Sequence, residues 1–234
     1  NGVVEGATLI SGGNIVLKRG MQGMDRGMLQ AEGNITAKFL ENCKVRCKGM
    51  LKADAILHSD VECQENVDIL GKKGLINGGS LSTYADVHAT TLGSTMGAST
   101  KIKIISDKEL IIRANEIKAE VENKEETLQK IDEVVNRVKG QLASNQEVLP
   151  EQMNYLKQAT VNKPLLVKQI RELREEREKL LVRIEKNKHS CIRVEGAVYS
   201  GIDITVKDVS KVQHEQVSHC RFVRDGADVR IVGL

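Results

Sequence analysis

The chain contains no tryptophan, and its only aromatic residues are Phe39, Phe222, Tyr84, Tyr155 and Tyr199. A core built around large rings is therefore excluded. No apolar run approaches the roughly 18–20 residues that a membrane-crossing helix needs. Neither sign of charge dominates. Lys and Arg number 35 against 32 Asp and Glu, interspersed, for a net charge of +3. That balance does not point to nucleic acid or to an anionic membrane surface. Five cysteines without a disulfide-like spacing fit a reducing compartment. No Ser/His/Asp arrangement or carboxylate pair can be assigned to a cleft. The 234 residues suffice for one or two domains.

What is present is a repeat. Large aliphatic residues fall at Leu9, Leu29, Val45, Val61 and Leu81, and six residues later at Ile15, Ile35, Leu51, Val67 and Val87. The intervals are 20, 16, 16 and 20 residues in both series, so the columns stay in phase. A column of small residues lies between them (Ser11, Ala31, Cys47, Cys63, Thr83), and a fourth runs Leu17, Ala37, Ala53, Ile69, Ala89. These positions share one parity within each unit, as the inward face of two short strands requires. The pairs Gly13-Asn14, Gly33-Asn34, Gly49-Met50, Glu65-Asn66 and Ala85-Asp86 are expected to form the turn between the strands, with left-handed backbone there.

A unit this short cannot bury its own apolar face and must stack on its neighbours. Each unit thus reads as one coil of a β-solenoid, in preference to an ordinary sandwich. Outward positions are mixed: Gln30, Arg46, Glu62 and Ser82 on one strand, Thr36, Lys52, Asp68 and His88 on the next. The repeat is already under way at the first residues, so a signal or an N-terminal domain is expected to have preceded them.

Near Asp107 the period changes. A 4-3-4-3 ladder runs Leu110, Ala114, Ile117, Val121, Lys124, Leu128, Ile131, Val135, Val138, Leu142, and a second runs Leu166, Ile170, Leu173, Arg177, Leu180, Ile184. Both are heptad seams with one charged member, read as register-setting. Glu120–Lys124, Glu126–Lys130 and Glu175–Lys179 are favourable i,i+4 pairs on exposed faces. Ser144-Asn145-Gln146 and Pro150 predict a turn and a fresh helix start, and Pro164 a kink or interruption of the returning arm. Antiparallel arms of about 35 residues would each reach roughly 50 Å.

After Asn187 the strand pattern returns at Ile192 and Val194, then Val198, Ile202, Ile204 and Val206. Val198 and Ile204 keep the six-residue offset of the two aliphatic columns. Asp225-Gly226 between Arg221-Phe222-Val223 and Val229-Arg230-Ile231 predicts a hairpin. The expected architecture is a right-handed parallel β-helix interrupted by a long antiparallel coiled-coil hairpin. Solenoid coils take residues 1–106, the insertion 107–190, and C-terminal strands completing the β domain 191–234.

Signals of chemistry are weak. Cys43 and Cys47 are four apart, but Cys47 and Cys63 belong to an inward column, so buried small residues outweigh metal ligands. Gly71-Lys72-Lys73-Gly74 with Gly78-Gly79 lacks the Gly-Lys-Ser/Thr ending of a phosphate loop and precedes no helix, so a solenoid corner is preferred. His214 and His219 beside Cys220 read as surface or hairpin residues before metal ligands. No cofactor and no metal follow from the residues.

Several stretches resemble the flagellar assembly protein A family. They are Gly33-Asn34-Ile35 continuing to Ala37-Lys38-Phe39-Leu40-Glu41-Asn42, then Ala55-Ile56-Leu57-His58-Ser59, Gly71-Lys72-Lys73-Gly74-Leu75-Ile76-Asn77-Gly78-Gly79 and Leu92-Gly93-Ser94-Thr95-Met96-Gly97. Gly196-Ala197-Val198-Tyr199-Ser200-Gly201 is similar to that family's return to the β domain after the coil. Cys43, Cys47 and Cys63 depart from its more usual glycine or small aliphatic residues. The resemblance covers nearly the whole chain. It implies a cytoplasmic bacterial scaffold with protein partners, members carrying a further N-terminal domain, and no catalytic residue to transfer.

The functional expectation is a non-enzymatic scaffold docking proteins, in flagellar assembly or polar placement. Its docking tip would be Val148, Leu149 and Met153, apolar residues beside a polar turn. Equally, Leu149 and Met153 would simply close the seam. A self-associating solenoid, hence a homo-oligomer, is the alternative. A β-helix enzyme comes last, because the hexapeptide period of acyltransferase coils is absent and no groove of acids and bases is evident.

Overall fold

The computed structural model describes residues 2–144 and 146–234. Asn145, expected in the turn between the arms, lies outside the described residues. The chain divides into two compact units, one of residues 1–107 with 186–234 and one of Lys108–Glu185.

The first unit is a parallel β-solenoid. Leu9 pairs with Leu29, Leu29 with Val45, Val45 with Val61 and Val61 with Leu81, and the column continues through Ile102 to Ile204. Ile15, Ile35, Leu51, Val67 and Val87 form the second column, which ends on Ile192. From Leu29 onward both columns are fully buried. Stacking at the parallel spacing of about 4.8 Å lets like side chains pack on like, which is why the columns stay in phase.

Each coil has three faces, where the residue pattern showed two. The additional face consists of very short runs, among them Phe39-Leu40-Glu41, Ala55-Ile56-Leu57 and Leu75-Ile76-Asn77, paired in register with Leu40, Ile56 and Ile76 inward. The left-handed residues also sit elsewhere than expected. Asn42, His58 and Gly78 carry φ of 50°, 46° and 77° and bend the chain out of this face into the next, whereas none of the Gly-Asn turn residues has positive φ.

The Gly-Asn turns are instead made by side chains. The Asn14 Oδ1 accepts the Asn34 amide hydrogen at 2.7 Å, and the Asn34 Oδ1 accepts that of Met50 at 2.8 Å. Gly33 and Gly49 are needed for room: a Cβ at either would collide with the Asn Oδ1 of the coil beneath. The small inward column has a related task. The Cys63 thiol donates to Gly49 O at 3.0 Å and the Thr83 hydroxyl to Glu65 O at 2.6 Å, so the column partners carbonyls that the corner would otherwise leave unpaired.

Ile192–Val198 and Ile202–Lys207 add parallel strands to the stack. Ile204 joins the first aliphatic column, and Val198 pairs with Leu92 on the third face, so the six-residue offset between them was coincidental. The chain then reverses. Val209–Gln213 runs antiparallel to Ile202–Lys207, Val217–Asp225 antiparallel to Ile192–Val198, and Asp228–Gly233 closes the predicted hairpin around Gly226. Phe222 is fully buried on this reversed strand.

The second unit is a helical hairpin of α1 (Lys108–Ala143) and α2 (Pro150–Asn187). As the α1 member moves along Arg113, Lys124 and Asp132, its α2 partner retreats along Glu176, Gln169 and Lys163, so the arms are antiparallel. Ile117, Val121 and Ile170 are buried in the seam, flanked by Leu128, Leu166, Leu173 and Leu180. The seam's Lys124 reaches Gln169 Oε1 at 3.2 Å and Glu120 at 3.6 Å. Pro164 lies within α2 without interrupting it. A proline removes one backbone donor, and the seam contacts on either side of Pro164 hold the helix.

Candidate functional site

Pro150 occupies the first position of α2, where its missing amide is no loss. Leu149 precedes it as the capping residue, and its amide donates to Gln152 Oε1 at 3.0 Å, half of a capping box. That capping holds Leu149 out of the helix with 64% of its surface exposed, while Met153 is 36% exposed and Val148 half-buried. Leu142 at the end of α1 is exposed as well. Val161 and Leu165, four apart on α2, are also exposed. Sequence reasoning passed over these last two because it followed only the seam; marking the apolar residues off the seam would have found them.

The cysteines are a packing feature. Cys47 and Cys63 pair in register with their sulfurs 3.2 Å apart, and all five cysteines are free. The hydrogen bond to Cys63, with burial added, pushes the Cys47 thiol up. Burial does the same to Cys43, Cys191 and Cys220. Cys63 goes the other way, because the hydrogen bond from Cys47 holds its thiol down. The raised, sheltered thiols are poor nucleophiles and poor metal ligands. Among the described residues no group of three or more His, Cys, Asp or Glu is placed to hold a metal ion. His219 is exposed while its neighbour Cys220 is buried, so the strand directs the two apart.

Gly71 to Gly74 forms the corner between the strands Val67–Ile69 and Leu75–Thr83, with Lys72 and Lys73 exposed. Next to it is a cavity of about 420 Å³ whose lining includes Lys38, Phe39, Leu57 and the two lysines. Among the described residues no helix is long and apolar enough to cross a membrane.

The model for FapA, the flagellar assembly protein A beta solenoid domain, matches residues 1–229. The chain belongs to this family. No curated protein and no solved structure matches it. FapA membership accounts for the solenoid, and the match runs through the residues of both helices.

Proposed function

We propose that this FapA-family chain is a non-enzymatic, cytoplasmic bacterial scaffold that docks protein partners in flagellar assembly or placement. The observation that carries the reading is the family match across residues 1–229. Two features support it. Cys47 and Cys63 are packed into the inward column, and the turn before α2 together with its first residues presents Leu149, Met153 and half-buried Val148. A small apolar patch of this kind suits protein docking. Cross-linking and capture with wild-type protein and with a Val148→Asp/Leu149→Asp variant tests the tip. The variant is expected to lose its captured partner while keeping the wild-type melt. Capture unchanged by the double substitution rules the tip out as the docking surface.

A second reading is self-association. Coils that stack through parallel strand pairing can stack on a second copy in the same way. Mass measured across a concentration series separates the two: a constant monomer mass removes this reading.

A further inference from the structure

The corner where each coil turns from the second aliphatic column into the third face is the most basic edge of the solenoid. It carries Lys18 and Arg19 after Leu17, Lys38 after Ala37, and Lys72 and Lys73 shortly after Ile69. Leu17 and Ala37 are register partners, so these cations stack over a few coils, roughly 15 Å at 4.8 Å per coil. All five are exposed, and among the described residues none is ion-paired. On the other faces several bases are paired: Arg46 meets Glu62 at 3.1 Å, Lys48 meets Glu32 at 2.6 Å and Lys52 meets Asp68 at 3.9 Å.

Beside this edge the outer side of the third face is apolar through the middle coils. Phe39, Leu57 and Leu75 are half-buried there and Ala55 is covered. In the middle coils the outward positions of the other two faces include Arg46, Glu62, Lys52 and Asp68. Gly20 makes room for the Phe39 ring, since a Cβ there would stand 2.8 Å from Cδ1. The 420 Å³ cavity lies where the apolar strip meets the cations.

Two acids, Asp54 and Glu41, also line the cavity. Asp54 packs against Gly71, and a Cβ at that glycine would strike its carboxylate. Beside these acids an apolar side chain is the better occupant of the cavity, with negative charge directed to the lysines. The lysines at the edge are the places for negative charge.

We propose that this corner is a docking site for an extended acidic peptide segment, one whose apolar side chain enters the cavity over Phe39 and Leu57 while its carboxylates meet Lys38, Lys72 and Lys73. Nucleic acid is the poorer fit: one phenylalanine is no stacking platform. A lipid surface is poorer too, since the apolar residues here are recessed where membrane binding wants them protruding. The site is separate from the helical tip, and the two are tested by different variants.

The test is fluorescence anisotropy with the 234-residue chain and a labelled octapeptide of alternating Glu and Leu. Saturable binding that weakens with salt is expected, and an octapeptide of alternating Glu and Ser should bind far less tightly because nothing fills the cavity. A Lys38→Glu/Lys72→Glu/Lys73→Glu variant should lose about tenfold or more in affinity. Lys44→Glu, on another face, should lose none. The glutamate–serine comparison uses wild-type protein, so it stands even if a variant misfolds. No saturable binding by wild type, equal binding of both peptides, or full affinity in a folded triple variant overturns the proposal. So does tighter, lysine-dependent binding of phosphatidylglycerol vesicles or of oligo-dT than of the peptide.

Discussion

The Asn14 Oδ1 accepts the amide hydrogen of Asn34 at 2.7 Å, one coil further along the stack. The same bond recurs from Met50 to Asn34 and, at 2.8 Å, from Cys191 to Asp86. A side-chain oxygen thus joins coil to coil at the corner, beside backbone bonds such as that from the Gly33 amide to Gly13 O at 3.0 Å. Strand Ile192–Val198, which follows the helices in sequence, is placed on the stack by the last of these bonds.

Gly33 is therefore expected to tolerate alanine poorly for lack of space, its φ being ordinary. Gly33→Ala should lower stability by about 1–3 kcal/mol, and Gly12→Ala, whose Cβ meets nothing within 4 Å, should be close to neutral. Urea melts of Gly33→Ala, Asn14→Ala and the double variant form a double-mutant cycle. Losses that add, with no coupling between the two positions, would show that the clash with Asn14 is not the cause.

Cys47 and Cys63 should stay reduced in the folded protein even without reductant. In-register neighbours on parallel strands hold their Cβ atoms near the strand spacing of about 4.8 Å, beyond the 3.5–4.5 Å a disulfide accepts. Thiol labelling mapped by mass spectrometry should modify half-buried Cys191 first and the Cys47–Cys63 pair only on unfolding. A native Cys47–Cys63 crosslink found after air oxidation contradicts this.

The raised thiols also make stability depend on pH. Cys43, Cys191 and Cys220 hold their protons more firmly folded than at the ordinary value of 9.0. Their stabilisation is fully present below that value and is lost as pH rises through it, because only the unfolded thiols then ionise. Melting temperature should fall between pH 8 and 9.5, and more gently in a Cys43→Ala/Cys220→Ala variant. Identical slopes would assign the loss to other groups.

Replacing residues 110–186 with a short Gly-Ser linker should leave the β unit folded. Asn187 Nδ2 donates to Asp107 Oδ1 at 3.4 Å, and Asp107 pairs with Lys207 at 3.8 Å, so the two cut ends stay close on the stack. Each coil contacts chiefly its neighbours, so the stacking within the β unit is expected to carry its fold. Loss of the β circular-dichroism signal and of a cooperative melt would make the helices part of the core.

Residue pattern alone determined the stacking, the inward columns and the antiparallel helices. Each of these rests on burial repeated at a fixed period, and a period is visible in one dimension. The third face escaped because Phe39-Leu40-Glu41 and Ala55-Ile56-Leu57 are too short to alternate, and outward Phe39, Ala55 and Leu57 are as apolar as inward Leu40 and Ile56. The left-handed bends at Asn42 and His58 escaped for another reason: both are non-glycine residues, held there by the coils on either side. The tip residues were legible from the polar turn and Pro150, but their exposure was not, since it depends on how the seam closes. Gly71 to Gly74 was visible as a corner, while its meeting with Lys38 and Phe39 required coils two turns apart to be stacked. The reversal of the last strands was likewise a tertiary decision. Asp225-Gly226 specifies a hairpin locally, but only the exposed edges of Ile192–Val198 and Ile202–Lys207, once placed on the solenoid, determine which strands the reversed chain pairs with and in which direction.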